Sequence, residues 1–194
     1  MHPDCRGRQA GGAAGVITVE LALVLGVFLL FVVGTVEVAR MAFVRNTAQD
    51  VTRRAARAAA MTDYSDGAAM AALRYQALFR DKDAALPLLP ELTADRLRID
   101  YLSLSADGAL APVTAGPACP ARNVVNCTTD PNGTSCIRFV RVRICATANG
   151  ACTPLPYTTL TRILPDVVPL TVPVSTSIAK AETLGFRPGA SSCL

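Results

Sequence analysis

The chain has 194 residues, 51% of them hydrophobic and 18% charged, with a formal net charge of +4, seven cysteines, one histidine and no tryptophan. So mild a charge gives no reason to expect a nucleic-acid partner, and no internal repeat is visible in the sequence. About 60 residues go into an apolar and then Ala/Arg-rich N-terminal stretch, which leaves about 130, enough for one small core and too few for a large enzyme.

The first segment carries Asp4, Arg6 and Arg8 and runs to Gly15. Glu20 follows five residues later, and Leu21 to Val36 then passes without a charge. From Val16 to Val36 is roughly 30 Å of helix, the thickness of a bilayer core. A carboxylate at the head of such a run is costly and therefore points to a role. The plainer alternative puts Glu20 at headgroup level, where the penalty is modest. A buried carboxylate needs a cationic partner, and the terminal ammonium of a neighbouring chain would suit. Ala14, Thr18, Ala22 and Gly26, with Gly34 two turns on, form a row of small residues that lets membrane helices approach closely. Cleavage as an ordinary secretory signal fits less well, because the small residues Ala58 and Ala60 lie far beyond the apolar run.

The string GVITVELALVLGVFLLFVVGTVEVARMAFVRNTAQDVTRRAARAAA, Gly15 to Ala60, resembles the N-terminal segment of the TadE-like family, pilin-like proteins of the Tad (Flp) pilus system. The likeness rests on the glycine, the glutamate five residues on, the apolar helix, the Glu37/Arg40 spacing and the Ala/Arg-rich continuation. It covers about a quarter of the chain closely. The resemblance implies that a prepilin peptidase cuts after Gly15, making Val16 the mature N-terminus with Glu20 as its fifth residue. It also implies partners: the major pilin, other TadE-like pilins, the Tad inner-membrane assembly platform and membrane lipid. Val16 and Glu20 would then set the register between subunits, with Ala22, Gly26 and Gly34 packing helix on helix.

No Pro or Gly interrupts the chain from Thr35 to Thr62, so the helix is expected to continue past the span. Val44, Ala48, Val51, Ala55 and Ala58 share one face, with Asn46, Asp50, Arg53 and Arg57 on another. Arg53, Arg54 and Arg57 read as a solvated helix face. Arg40, Arg45, Arg53, Arg54 and Arg57 outnumber the leader's basic residues and, taken literally, would hold the C-terminal part in the cytoplasm. The cysteines argue the opposite. Setting aside Cys5 in the leader leaves Cys119, Cys127, Cys136, Cys145, Cys152 and Cys193, an even set suited to disulfides in an oxidising compartment. Six cysteines allow many pairings; the one predicted is Cys145 with Cys152, which flank the turn signal Asn149-Gly150.

Further along, Ser65 and Asp66 suit a helix N-terminus, and the helix is expected to run to about Arg80, before Pro87 and Pro90. Leu97, Ile99 and Tyr101 alternate with Arg98 and Asp100 as in a half-buried strand. Asp107-Gly108 marks a turn into a partner strand over Leu110 to Val113. Residues 114 to 136, rich in Gly, Pro and Asn, read as an irregular loop that needs its cysteines as staples. Ile137 to Ala146 alternates again and is the expected central strand. Val168, Leu170, Val172, Val174 and Ile178 keep period two, but Pro169 and Pro173 confine that strand to an edge.

Catalytic chemistry has little to work with. There is no G-x-S-x-G, no Walker loop and no metal-ligand spacing, and the one histidine, His2, lies in the leader. Asp63 and Asp66 sit where carboxylates favour a helix start. The sequons at Asn126 and Asn132 are incidental in a pilin-like bacterial protein. No catalytic, metal or cofactor residue is expected.

The expected architecture is therefore α+β: a leader over 1–15, a transmembrane and stalk helix over 16–61 with its span at about 16–36, and a small antiparallel-sheet domain with disulfides over 62–194. The expected placement is a bacterial inner membrane, single-pass, N-terminus cytoplasmic and C-terminal domain periplasmic. The resemblance implies a minor pilin or pseudopilin that assembles, primes or anchors a pilus. The alternative is an uncleaved membrane-anchored binding domain outside any filament.

Overall fold

The structure, a computed structural model, describes residues 13–80, 90–147, 150–159, 170–189 and 193. The leader up to residue 12, Pro87, Asn149, Val168 and Pro169 lie outside the described residues. The expected α+β architecture is the one observed. A long apolar helix, α1 (Ala13–Ala59), is followed by α2 (Gly67–Ala77), the hairpin β1 (Leu97–Leu104) and β2 (Leu110–Pro112), α3 (Pro120–Thr129), β3 (Phe139–Ile144), the two-residue strands β4 (Leu155–Pro156) and β5 (Thr171–Val172), and β6 (Thr176–Lys180). The chain divides between Arg40 and Met41 into two compact units.

In the first unit, the side chains from Val16 to Val36 lie on a helix whose large apolar residues are exposed, with Leu30 at 75% and Phe31 at 73%.

In the second unit, four of the six strands described form an antiparallel sheet in the order β2-β1-β3-β6, and β4 pairs with β5. The predicted central strand is interior, with Val140, Val142 and Ile144 all buried. The last turns of α1 lie in its core: Val44, Ala48, Val51, Ala55, Ala56 and Ala59 are buried together with Leu73 of α2, Leu97 of β1 and Val140, Val142 and Ile144 of β3. The face predicted from periodicity is the buried one, apart from Ala58, which is half-buried. Fully burying a valine such as Val51 contributes about 1.5–3 kcal/mol. Thr52 is a polar insertion in this core, and its hydroxyl meets that of Ser175 at 3.0 Å.

Local chemistry sets the element ends. Asp66 caps α2, its carboxylate accepting from the Ala68 and Ala69 N–H groups. Ser65 instead donates to Asp63. The helix stops at Ala77, earlier than Arg80, because Phe79 takes a left-handed conformation with φ 57°. Its N–H reaches Gln76 O while that of Arg80 reaches Tyr75 O, the pairing that closes a Schellman end. Arg54 stacks over the exposed Phe79 ring, 4.4 Å from its centre. After β6 the chain turns back onto the end of α1, where Ala60 O accepts from the Glu182 and Leu184 N–H groups. Gly185 follows at φ +80°, and a Cβ there would lie 2.5 Å from the Asp63 nitrogen, so only glycine fits.

Two sequence expectations are corrected. Residues 114–136 are not wholly irregular, for they contain the ten-residue helix α3, which starts at Pro120 behind Cys119. Proline at the first helical position lacks an N–H that would be orphaned anyway, so it opens a helix as readily as it breaks one. Asn123 then fixes α3 to the sheet by accepting from the Ile137 N–H and donating to its carbonyl. The single strand drawn through residues 168–178 is also divided. Thr171 and Val172 pair with β4, while Thr176–Lys180 pairs with β3 at the sheet edge. Pro173 lies at the break, and the predicted edge position holds for β6.

Three disulfides close the second unit: Cys119–Cys193, Cys127–Cys136 and Cys145–Cys152, with Cα separations of 6.4, 4.8 and 4.9 Å. The Cys145–Cys152 pairing is the one expected. Its loop includes Gly150 at φ +85°.

Candidate functional site

The feature that stands apart from ordinary domain chemistry is the N-terminal half of α1. Its helix is long and apolar enough to cross a membrane, with a mean hydropathy of 2.9 over its most apolar window and none of that window buried. So much exposed apolar surface has to be covered by lipid or by other protein. Within it Glu20 is exposed, as is Val16, at 58%. The two are four residues apart, one helical turn and about 6 Å along the axis, on the same face. Ala22 lies on nearly the opposite face from Glu20, about 200° around the helix, and Gly26 lies about 240° around it. Gly34 is rotated by about 120° from Ala22, so the small residues wind around the helix and do not form a straight stripe. Open space surrounds Gly15, Gly26 and Gly34, where an added Cβ would meet nothing within 4 Å. Glu37 and Arg40 form an i,i+3 ion pair at 3.5 Å just past the apolar run.

The main charged cluster of the second unit lies on its sheet. Asp100 on β1 is the hub of three arginines: Arg98 Nε at 3.1 Å, Arg141 Nη2 at 3.2 Å and Arg143 Nη2 at 2.7 Å. The sequence predicts solvent-facing strand positions for Arg138, Arg141 and Arg143, the last two from the alternation over Ile137 to Ala146. Arg141 and Arg143 do lie on the face away from the buried valines, but they converge on one carboxylate. The antiparallel register, with Asp100 opposite Arg141 and Arg98 opposite Arg143, is what brings them together. Burial works against ionising Asp100, but the bond from Arg143 and the charges of Arg143 and Arg98 outweigh it and hold the carboxyl below its ordinary range. Because the folded state lowers that pKa, the contribution to stability is fully present above about pH 4, the unfolded value, and is lost as pH falls through the folded one. Asp100→Asn is expected to cost about 2 kcal/mol at neutral pH, between the worth of an exposed and of a buried charge pair. Urea unfolding from pH 7 to 3 checks this: the variant should lose the part of the acid-induced decline that Asp100 causes.

Tyr101, pushed up to about 12 by burial, packs its ring 5.4 Å from that of Tyr64 and is aimed at Met70 Sδ. Asp63 and Asp66 hold the turn before α2 and do not face each other as an acid and base pair, each being bonded to its own local donors. Among the described residues no group of three or more His, Cys, Asp or Glu could hold a metal ion, and the six cysteines are all bridged.

Fold and site together define a class: a small disulfide-bonded α+β unit whose first helix begins in a segment apolar enough for a bilayer. Residues 15–57 match the model of the TadE-like protein family, the same family that Gly15 to Ala60 resembles by inspection. No curated protein and no solved structure matches the chain.

Proposed function

We propose that this protein is a TadE-like minor pilin or pseudopilin that takes part in assembling, priming or anchoring a Tad (Flp) pilus. The observation that carries the reading is the family match over residues 15–57, which begins at the glycine proposed for processing and takes in Glu20. A prepilin peptidase removes the leader after Gly15 on the cytoplasmic side. The mature chain, starting at Val16, stays in the inner membrane with its disulfide-bonded domain in the periplasm, next to the major pilin, other TadE-like pilins and the assembly platform. Lipid covers the apolar helix until neighbouring helices replace it. The work is structural, not enzymatic, and uses no cofactor and no nucleic acid. The exposed apolar helix, with space for other backbones at Gly26 and Gly34, supports this reading.

The test is the intact mass of the protein made in cells with and without an active prepilin peptidase. The expected product begins at Val16 only when the peptidase is active. A chain still starting at Met1 in its presence would instead favour a permanently anchored domain outside any filament.

A further inference from the structure

The three disulfides sit in different surroundings. Cys136 and Cys145 are completely buried, so two of the bridges each keep one sulfur inside the core. In the third, both Cys119 and Cys193 are half-exposed and both line an open cleft of about 690 Å³. The other walls are the turn before α2, the start of α3 and the segment Thr183–Arg187. Cys119 is also the residue immediately before α3, and no side chain caps that helix end. By helix geometry the N–H groups of Ala121 and Arg122 have no carbonyl partner within α3, and they lie next in sequence to the residue where a thiolate would form. A helix N-terminus stabilises a thiolate and so makes it a better leaving group.

We propose that Cys119–Cys193 is the exchangeable disulfide of this protein, a site of thiol–disulfide exchange with an external dithiol that enters through the cleft. The attacking thiolate forms a bond to Cys193 Sγ, the Cys119–Cys193 bond breaks, and Cys119 leaves as a thiolate at the start of α3, where it takes up a proton. The second thiol of the dithiol, after losing its proton, attacks the mixed disulfide and releases Cys193 as a thiolate, which is protonated in turn. The dithiol is oxidised by two electrons and the protein bridge is reduced by two, which balances the exchange. Run backwards, the same steps install the bridge. Cys127–Cys136 and Cys145–Cys152 stay closed, because the sulfur that would have to leave is in each case the buried one, or else the one under attack is. Opening Cys119–Cys193 leaves the backbone bonds from Glu182 and Leu184 to Ala60 intact, so the domain stays folded.

The experiment treats the full-length folded protein in detergent with graded dithiothreitol, alkylates it and reads each cysteine by mass spectrometry. Cys119 and Cys193 are expected to be alkylated at a dithiol concentration at least about tenfold lower than the other four, matching a difference of about 30 mV in a two-electron potential. Simultaneous opening of all three bridges, or earlier opening of either other one, would overturn the proposal. A dithiol protein lacking its resolving cysteine gives the direction of attack: the trapped mixed disulfide is expected on Cys193, and trapping on Cys119 would refute the leaving-group argument.

Discussion

Replacing Glu20 with alanine is expected to leave cleavage after Gly15 and folding of the second unit intact while reducing piliation by more than about a hundredfold. The expectation rests on the proposed role of the residue. In a dry helix bundle an ammonium left without its carboxylate costs on the order of 3–5 kcal/mol, and each 1.4 kcal/mol is a factor of ten. Since Val16 and Glu20 share a face one turn apart, a neighbouring chain shifted axially by about 6 Å would bring its Val16 amine level with this Glu20. Glu20→Gln separates charge from shape, since it keeps the hydrogen-bonding outline and loses the anion, and it should fall close to alanine. The alternative, Glu20 lying at headgroup level without a partner, predicts that both variants assemble as the parent does. Counting pili per cell, alongside the mass of the processed chain, decides between them. Piliation unchanged in Glu20→Ala would remove the register role while leaving the family match untouched.

The parts of the fold that could be read from the sequence are those governed by local period. Val44, Ala48, Val51 and Ala55 recur at helical spacing and are buried, and Val140, Val142 and Ile144 recur at strand spacing and are buried. The turn at Gly108 and the Cys145–Cys152 bridge also came from neighbours in sequence. What could not be read depends on residues far apart in the chain. The Asp100 hub requires the β1–β3 register, which sets Arg98, Asp100, Arg141 and Arg143 side by side over forty residues of sequence. Cys119–Cys193 joins positions 74 residues apart, and composition offers no rule for choosing that pairing over others. Helix α3 was concealed by its own Pro and Asn residues, although Pro120 in the first turn, with Asn123 and Cys127 spaced along one face, was a signal in plain view. The N-terminal segment differs in kind: its motif was legible from the start, but a single chain shows no partner for it.

The largest structural effect is expected where the helix enters the core. Val51 is 0% exposed and belongs to the core cluster that also holds the sheet's buried valines, whereas Arg53, two residues along, is exposed. The same substitution at the two positions should therefore have opposite consequences. Val51→Asp places a carboxylate with no cation beside it among Ala48, Ala55 and the β3 side chains. The lost burial of about 1.5–3 kcal/mol adds to several kcal/mol for an unpaired buried charge, a sum comparable with the whole stability of a domain this size. The variant is expected to lose its cooperative thermal transition in detergent and to become sensitive to protease between Met41 and Leu194, even with all three disulfides closed. Arg53→Asp should change stability by no more than about 0.5 kcal/mol, as surface substitutions do. If Val51→Asp melts like the parent protein, the C-terminal turns of α1 are not part of the core, and the sheet must find its apolar cover elsewhere. If Arg53→Asp is the damaging one, the helix is rotated from the orientation described. Only the predicted contrast fits a helix whose last turns are integral to the domain.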